Sequence, residues 1–526
     1  MESQLATPKL PPNSAWPTLS RELLAKRAAA QRHVLQRVAV QEPKVVGRSD
    51  SKRGSSPRSP RATASASSSN AAACLDGAEL TCASNPSRGP SSAWGAPNRC
   101  GEPAADGCGE PANEATSSGP DRSAEPPRLF EGPPSELLLR AIPIENEPAL
   151  ASFHWALSQL SRGEDPDQRV RILAYGASHT QADFYPGYLR AYLQARFGNG
   201  GRGFVLLGRV NAWHRTLDTR MNQRGFTVHH ARFRKEPTRE PLGLFGAALV
   251  SRNPGSLAEI LTAEDSEDTR FELQYYRELA GGEFDVELDG KRLARISTQP
   301  GTTGPGYFAF TATPGQHRIR VRLVGNGPVR LFGVVAETAT PGVVLDTLGI
   351  SGAQMADSLR WDDASFIDAV RRRQPDLITL AYGTNEVFDT ARTIAEYESD
   401  VRSVVVRLRQ AAPAASCLFI APFDLPSARR HRLIEIVDAQ RRLARELGCA
   451  SWNGLAFMGG NGSITSWASA KPSLATPDHI HLTRRGYVYA GTAMADALLR
   501  AYDLDPRNAA NARAGQPSAL LASPGL

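Results

Sequence analysis

Four short blocks, in this order along the chain, carry residue types that together can transfer an acyl group: Gly176-Ala177-Ser178-His179, Gly349-Ile350-Ser351-Gly352, Gly383-Thr384-Asn385-Glu386 and Asp478-His479-Ile480-His481. A serine hydroxyl attacks an ester carbonyl only when a neighbouring base takes its proton, and His481 is suited to that task. Asp478, three residues earlier on the same loop, can hold the other imidazole nitrogen and stabilise the imidazolium. The oxyanion that forms needs fixed donors. The backbone amides of Ser178 and Gly352 and the side-chain amide of Asn385 fit that need, with Gly349 as the alternative glycine of the second block. This chemistry calls for no metal ion and no organic cofactor.

Taken singly, each block has a plainer explanation. Ser178 is a serine in a turn, Asp478 caps the turn ahead of Leu482, Asn385 satisfies local backbone groups, and the glycines permit positive φ. All four in one order, three of them directly behind expected strands, favour the catalytic reading. His179 is expected to line the pocket or to pack at a helix start, and Asp183 to complement a helix dipole. Trp452 and Trp467 flank a glycine-rich segment, residues 457–463, expected near the site. There they stack on a sugar ring or, by default, pack in the core.

Positioning such groups takes strands that end together. Residues 169–175, 343–348, 376–382 and 416–421 read as buried strands, and residues 182–197, 357–373, 394–410, 431–447 and 487–502 as helices between and after them. Alternating strands and helices imply a parallel sheet covered on both faces, whose ligands lie beyond the carboxyl ends of the strands. Ser178, Gly352 and Asn385 fall there. Residues 271–337 read differently, as short alternating strands separated by turns such as Asp289-Gly290 and Gly325-Asn326-Gly327, the pattern of a β-sandwich.

On these residues the chain resembles the GDSL/SGNH hydrolase superfamily, whose four signature residues are matched by Ser178, a glycine of the second block, Asn385 and His481. The runs Tyr175 to Asp183 and Phe197 to Phe204, with the interrupting β segment, are similar to peptidoglycan O-acetylesterases that carry a carbohydrate-binding-like module. The resemblance implies a three-layer α/β/α core, residues 135–209 and 338–505, split by an inserted jelly-roll-like β-sandwich, residues 210–337. It implies a carbohydrate esterase acting on an acetylated carbohydrate, cell-wall glycan included, or on a small ester, and placed in the periplasm or at the cell surface. Two departures stand out: Ala177 and Glu386 occupy positions where the family has aspartate. Loss of a carboxylate at 177 is expected to loosen the nucleophile turn. The competing readings are a glycan-binding protein with a silent hydrolase core and a broad lipase or esterase.

Outside this span the composition changes. Residues 1–134 are rich in Ser, Pro, Ala and Gly, and such a stretch cannot bury enough apolar surface to offset its ordering entropy, so a disordered tail is expected, with another at 506–526. Residues 1–61 hold twelve Lys/Arg against four Asp/Glu, so a chain of net charge +7 is near neutral beyond them. The basic residues are dispersed without interleaved aromatics, which argues against a specific nucleic-acid site. A short amphipathic helix is expected at residues 20–40. Neither a signal-peptide apolar stretch nor a membrane-spanning run is visible. Cys74, Cys82, Cys100 and Cys108 fit no metal-ligand spacing, and Cys417 reads as a buried strand residue.

Overall fold

The computed structural model describes residues 142–165, 167–230, 239–299 and 301–508. The expected N-terminal tail through residue 134, the helix at 20–40, the four tail cysteines and residues 509–526 lie outside them; residues 506–508, expected in the C-terminal tail, are instead helical, with Asn508 buried against Ser158 and Tyr502. Helix α1 (Ala151–Arg162) leads into strand β1 (Arg169–Gly176), the four-residue α2 (Ser178–Gln181) and α3 (Phe184–Phe197). Eleven strands follow: β2 (Gly203–Val205), β3 (Arg220–Arg224), β4 (Thr227–His230), β5 (Ala247–Ser251), β6 (Leu257–Leu261), β7 (Arg270–Arg277), β8 (Glu283–Leu288), β9 (Lys291–Ser297), β10 (Gly304–Thr311), β11 (Arg318–Gly325) and β12 (Val329–Glu337). The chain then alternates: β13 (Gly342–Gly349), α4 (Asp363–Arg373), β14 (Leu377–Ala381), α5 (Thr384–Phe388), α6 (Ile394–Ala411), β15 (Ser416–Ile420), α7 (Arg430–Glu446) and β16 (Ala450–Trp452). Helices α8 (Gly454–Met458), α9 (Ser463–Ser469) and α10 (Arg484–Leu504) end the described fold.

The parallel sheet has the order β13-β1-β14-β15-β16, so the chain returns to pair β13 with β1 only after the antiparallel strands between them. Gly176 pairs with Gly349 and with Ala381, which brings the ends of three strands level. β1 is buried along almost its whole length because both faces are covered. Val170, Ile172 and Ala174 pack with α1, α3 and α10, while Leu173 and Tyr175 face the layer that includes α4, α6 and α7. Two antiparallel sheets make up the intervening segment, β10-β7-β12-β5-β4 with β2 on β12, and β3-β6-β11-β8-β9. Tyr275 of one meets Phe284 of the other edge to face, with centroids 5.3 Å apart.

Differences from the expected elements have local causes. The helix expected at 357–373 is a 3₁₀ turn, Met355–Arg360, then α4, because Trp361 is extended and buried and Asp362 caps α4 by accepting from the Ser365 amide at 2.7 Å. The helix expected from Ala182 breaks at Asp183, whose φ is +55°. Strands β3 to β6 and β16 and the helices α1, α8 and α9 went unread; these strands have too few residues to show a period. Antiparallel pairing also begins at Gly203, ahead of Val210. Cys417 is in a strand as expected, but it is only partly buried and forms a disulfide with Cys449 beside the adjacent strand.

Candidate active site

The close approach of strand ends selects the glycines of the first two blocks. A Cβ on Gly176 would sit 2.0 Å from the Thr180 hydroxyl, and one on Gly349 would sit 2.3 Å from the Gln181 nitrogen, so the nucleophile turn lies directly on both strands. Gly352 is glycine for another reason, a φ of +76°. Ser178 opens α2, and the carbonyl of Ala177 before it accepts from the amides of Thr180 and Gln181 at 3.1 and 2.9 Å.

His481 stands on a tight reversal closed by the Ala475 to Leu482 bridge and the Thr476 amide to His481 carbonyl bond of 2.8 Å. Thr483 then caps α10 by accepting from the Gly486 amide at 3.2 Å, which fixes the loop two residues beyond the imidazole. His481 Nε2 is 2.9 Å from Ser178 Oγ, and Nδ1 is 2.7 Å from Asp478 Oδ2. Burial works against charge on Asp478, but hydrogen bonds from His481, from Thr476 and from the amides of residues 481 and 480 outweigh it and hold the carboxyl well below its usual range. An ionised carboxylate only accepts, so Nδ1 carries the proton and Nε2 is left to accept from the serine hydroxyl. Asp478 also caps its own turn by accepting from the Ile480 and His481 amides.

Asn385 sits in α5, and its Nδ2 donates to the Ala353 carbonyl at 2.8 Å, tying the third block to the second. Glu386 strengthens that tie. Its buried carboxylate accepts from the Met355 amide at 2.8 Å and the Gly383 amide at 2.9 Å, and burial pushes its carboxyl up to about 7. Gln181, which no motif singled out, accepts from the Ser351 amide at 2.5 Å and donates to Asn211 at 2.9 Å. Only its place three residues after Ser178, on the strand-facing side of a short helix, could have marked it.

His179 is buried, with Nδ1 2.8 Å from the Tyr487 hydroxyl and its ring centroid 5.3 Å from that of His481; burial, then the His481 charge, push it down to about 3, so it stays neutral. Asp183 immediately precedes α3, at a helix start as expected. It is fully buried between Arg190 and Arg202 and accepts from Thr347 at 2.6 Å; burial would raise its carboxyl, but the two guanidinium charges hold it at about 2. Trp452 and Trp467 are both buried around Phe457, so they pack in the core. A cavity of about 710 Å³ lies elsewhere, lined by Arg171, Arg270 and Arg372 among others and by none of the four blocks; Ser178 and His481 are each half-buried. Among the described residues no cluster of ligands suits a metal ion, and no helix is long and apolar enough to cross a membrane.

The GDSL-like lipase/acylhydrolase family matches residues 311–489, which takes in the second, third and fourth blocks. The nucleophile block falls outside that span because the antiparallel strands displace it. A solved structure described as a peptidoglycan O-acetylesterase in action superposes with a TM-score of 0.58 at 25% identity, over 68% of this chain and 98% of its own. The family match and this superposition support the SGNH hydrolase superfamily. This SGNH hydrolase is accordingly a carboxylic ester hydrolase with a mixed α/β fold. Looser superpositions include family two carbohydrate esterases from Cellvibrio japonicus (14% identity, 54% of this chain and 98% of that one, TM-score 0.23) and Clostridium thermocellum with cellohexaose (11%, 53% and 100%, 0.24). No curated protein matches the chain.

Proposed function

We propose that this SGNH hydrolase removes O-acetyl groups from a carbohydrate, with peptidoglycan as the favoured source, through an acetyl-enzyme on Ser178. The observation that carries the mechanism is the hydrogen-bonded line Asp478–His481–Ser178, at 2.7 and 2.9 Å. Ser178 Oγ attacks the acetyl carbonyl while His481 Nε2 takes its proton. The tetrahedral oxyanion is held by the amides of Ser178 and Gly352 and by the N–H of Asn385 not given to Ala353. Collapse breaks the bond to the sugar oxygen, which leaves as a hydroxyl with the proton from Nε2. Water then attacks the acetyl-serine, His481 takes its proton, and acetate departs as Oγ is reprotonated. The α2 N-terminus adds positive potential at the same point.

The likeness to a peptidoglycan O-acetylesterase supports the substrate class. In this reading residues 135–209 and 338–505 form the hydrolase core, and residues 210–337 form an inserted jelly-roll-like sandwich of carbohydrate-binding type. The test is acetate release from O-acetylated peptidoglycan beside hydrolysis of p-nitrophenyl acetate, butyrate and longer esters, with Ser178→Ala as control. Glycan deacetylation with a steep decline beyond acetate is expected. Preference for long acyl chains would overturn the proposal.

A further inference from the structure

Three aromatic side chains stand exposed among the described residues: Trp155 at 58%, Trp213 at 73% and Phe388 at 40%. An indole left in water forgoes the burial that makes Trp strongly stabilising when packed, so an exposed Trp held on a fixed backbone keeps a whole aromatic face available to a ligand. The Trp155 ring has Arg162 5.5 Å over it, and the Phe388 ring has Arg429 at 5.1 Å. The ring of Trp213 has no such partner among the described residues.

The turn carrying Trp213 is pinned at three points. Asn211 Oδ1 accepts from Gln181 Nε2 at 2.9 Å and also from the Trp213 amide at 2.9 Å, so one oxygen joins the nucleophile helix to Trp213. His214, the next residue, is buried with its ring 5.4 Å from Phe245. Leu217 donates its amide to the buried Asp183 at 3.1 Å. Because Gln181 also takes the Ser351 amide, the Trp213 turn shares one support with the first and second blocks. An aromatic residue with two side-chain torsions on so fixed a backbone has little entropy left to lose on binding.

A pyranose ring presents C–H groups on one face and hydroxyls at its rim, so it can lie on an indole while its hydroxyls stay hydrated. We propose that Trp213 is a sugar-binding subsite of this esterase, stacking a pyranose unit of the glycan whose acetyl group is presented to Ser178. The inference rests on the carbohydrate reading above and adds the residue that gives it selectivity.

The experiment compares kcat/KM for O-acetylated peptidoglycan and for p-nitrophenyl acetate in the full chain and in Trp213→Ala, Trp213→Leu, Trp213→Phe and Trp155→Ala. Trp213→Ala should lower glycan turnover about tenfold more than small-ester turnover, mostly through KM, as expected for loss of an aromatic contact. Trp213→Leu keeps bulk without a ring and should behave likewise, which preserves the comparison if the alanine variant fails to fold. Trp213→Phe should retain most of the selectivity, and Trp155→Ala should leave the ratio unchanged. Equal losses on both substrates, or no loss on glycan, overturn the subsite alone. A wild-type protein that cleaves p-nitrophenyl acetate but releases no acetate from any acetylated glycan overturns the carbohydrate reading and the subsite with it.

Discussion

Asp478 divides its carboxylate between His481 and the turn that carries His481: Oδ2 meets the imidazole Nδ1 at 2.7 Å, while Oδ1 accepts the amides of Ile480 and His481 at 2.9 and 3.0 Å. Asparagine at this position can keep the Oδ1 bonds but presents an N–H where His481 needs an acceptor. Asp478→Asn should therefore retain the fold and lower kcat on p-nitrophenyl acetate by about 10³–10⁴, through the wrong imidazole tautomer. Ser178→Ala and His481→Ala should fall lower still, since nucleophile or base is gone. Wild-type-like turnover in either purified alanine variant removes these residues from the reaction.

Glu386 joins the second and third blocks through the Met355 and Gly383 amides, yet burial raises its carboxyl from 4.5 to about 7. The unfolded chain gives up this proton first as pH rises, so between about 4.5 and 7 the folded state binds more protons and loses relative stability. Against Glu386→Gln, which cannot titrate, the wild type should lose up to about 3 kcal/mol over that window. Melting midpoints of the pair at several pH values measure it. Parallel midpoints across the window would mean that the two amides keep the carboxylate ionised in the fold.

The proposed triad residues could be picked out because their types and order carry the chemistry, and because β1, β13 and β14 are apolar runs that announce where strands end. What braces them was not. Gln181 reaches Ser351 across 170 positions and Asn211 across 30, and no local period encodes a hydrogen bond between loops. Glu386 read only as a departure from aspartate, and nothing in the pattern showed that its carboxylate accepts from both the Met355 and Gly383 amides. Asp183 looked like a helix-start residue and does precede α3, but the pattern did not show the buried cluster with two arginines and Thr347 that holds its carboxylate. The glycine-flanked Trp452 and Trp467 suggested a sugar platform, and core packing claimed both.

The Cys417–Cys449 disulfide closes a loop of 32 positions that holds the end of the parallel sheet and α7. Constraint of the unfolded chain by a loop of that length is worth up to about 3–4 kcal/mol in the chain-entropy account. Cys417→Ala with Cys449→Ala should lower the melting midpoint by several degrees, with kcat per folded molecule nearly unchanged because neither residue is in the four blocks. An equal midpoint with and without reductant in the wild type would show that the bond adds nothing under those conditions.

Ala177 precedes the nucleophile where relatives carry aspartate, and an aspartate there was expected to brace the turn. The geometry turns that expectation round. Ala177 is 3% exposed, and its own carbonyl already takes the amides of Thr180 and Gln181 at 3.1 and 2.9 Å. The amides that a carboxylate would serve are thus committed, and the new side chain would enter an apolar cluster that includes Leu173, Tyr175 and Ile350. Ala177→Asp should destabilise the fold by about 1–3 kcal/mol, the cost of burying a polar group without partners, and should lower kcat through a displaced Ser178. Thermal melting beside p-nitrophenyl acetate kinetics decides it: a higher kcat at an unchanged melting midpoint would show that the turn still had donors to give, and that alanine leaves the nucleophile under-supported.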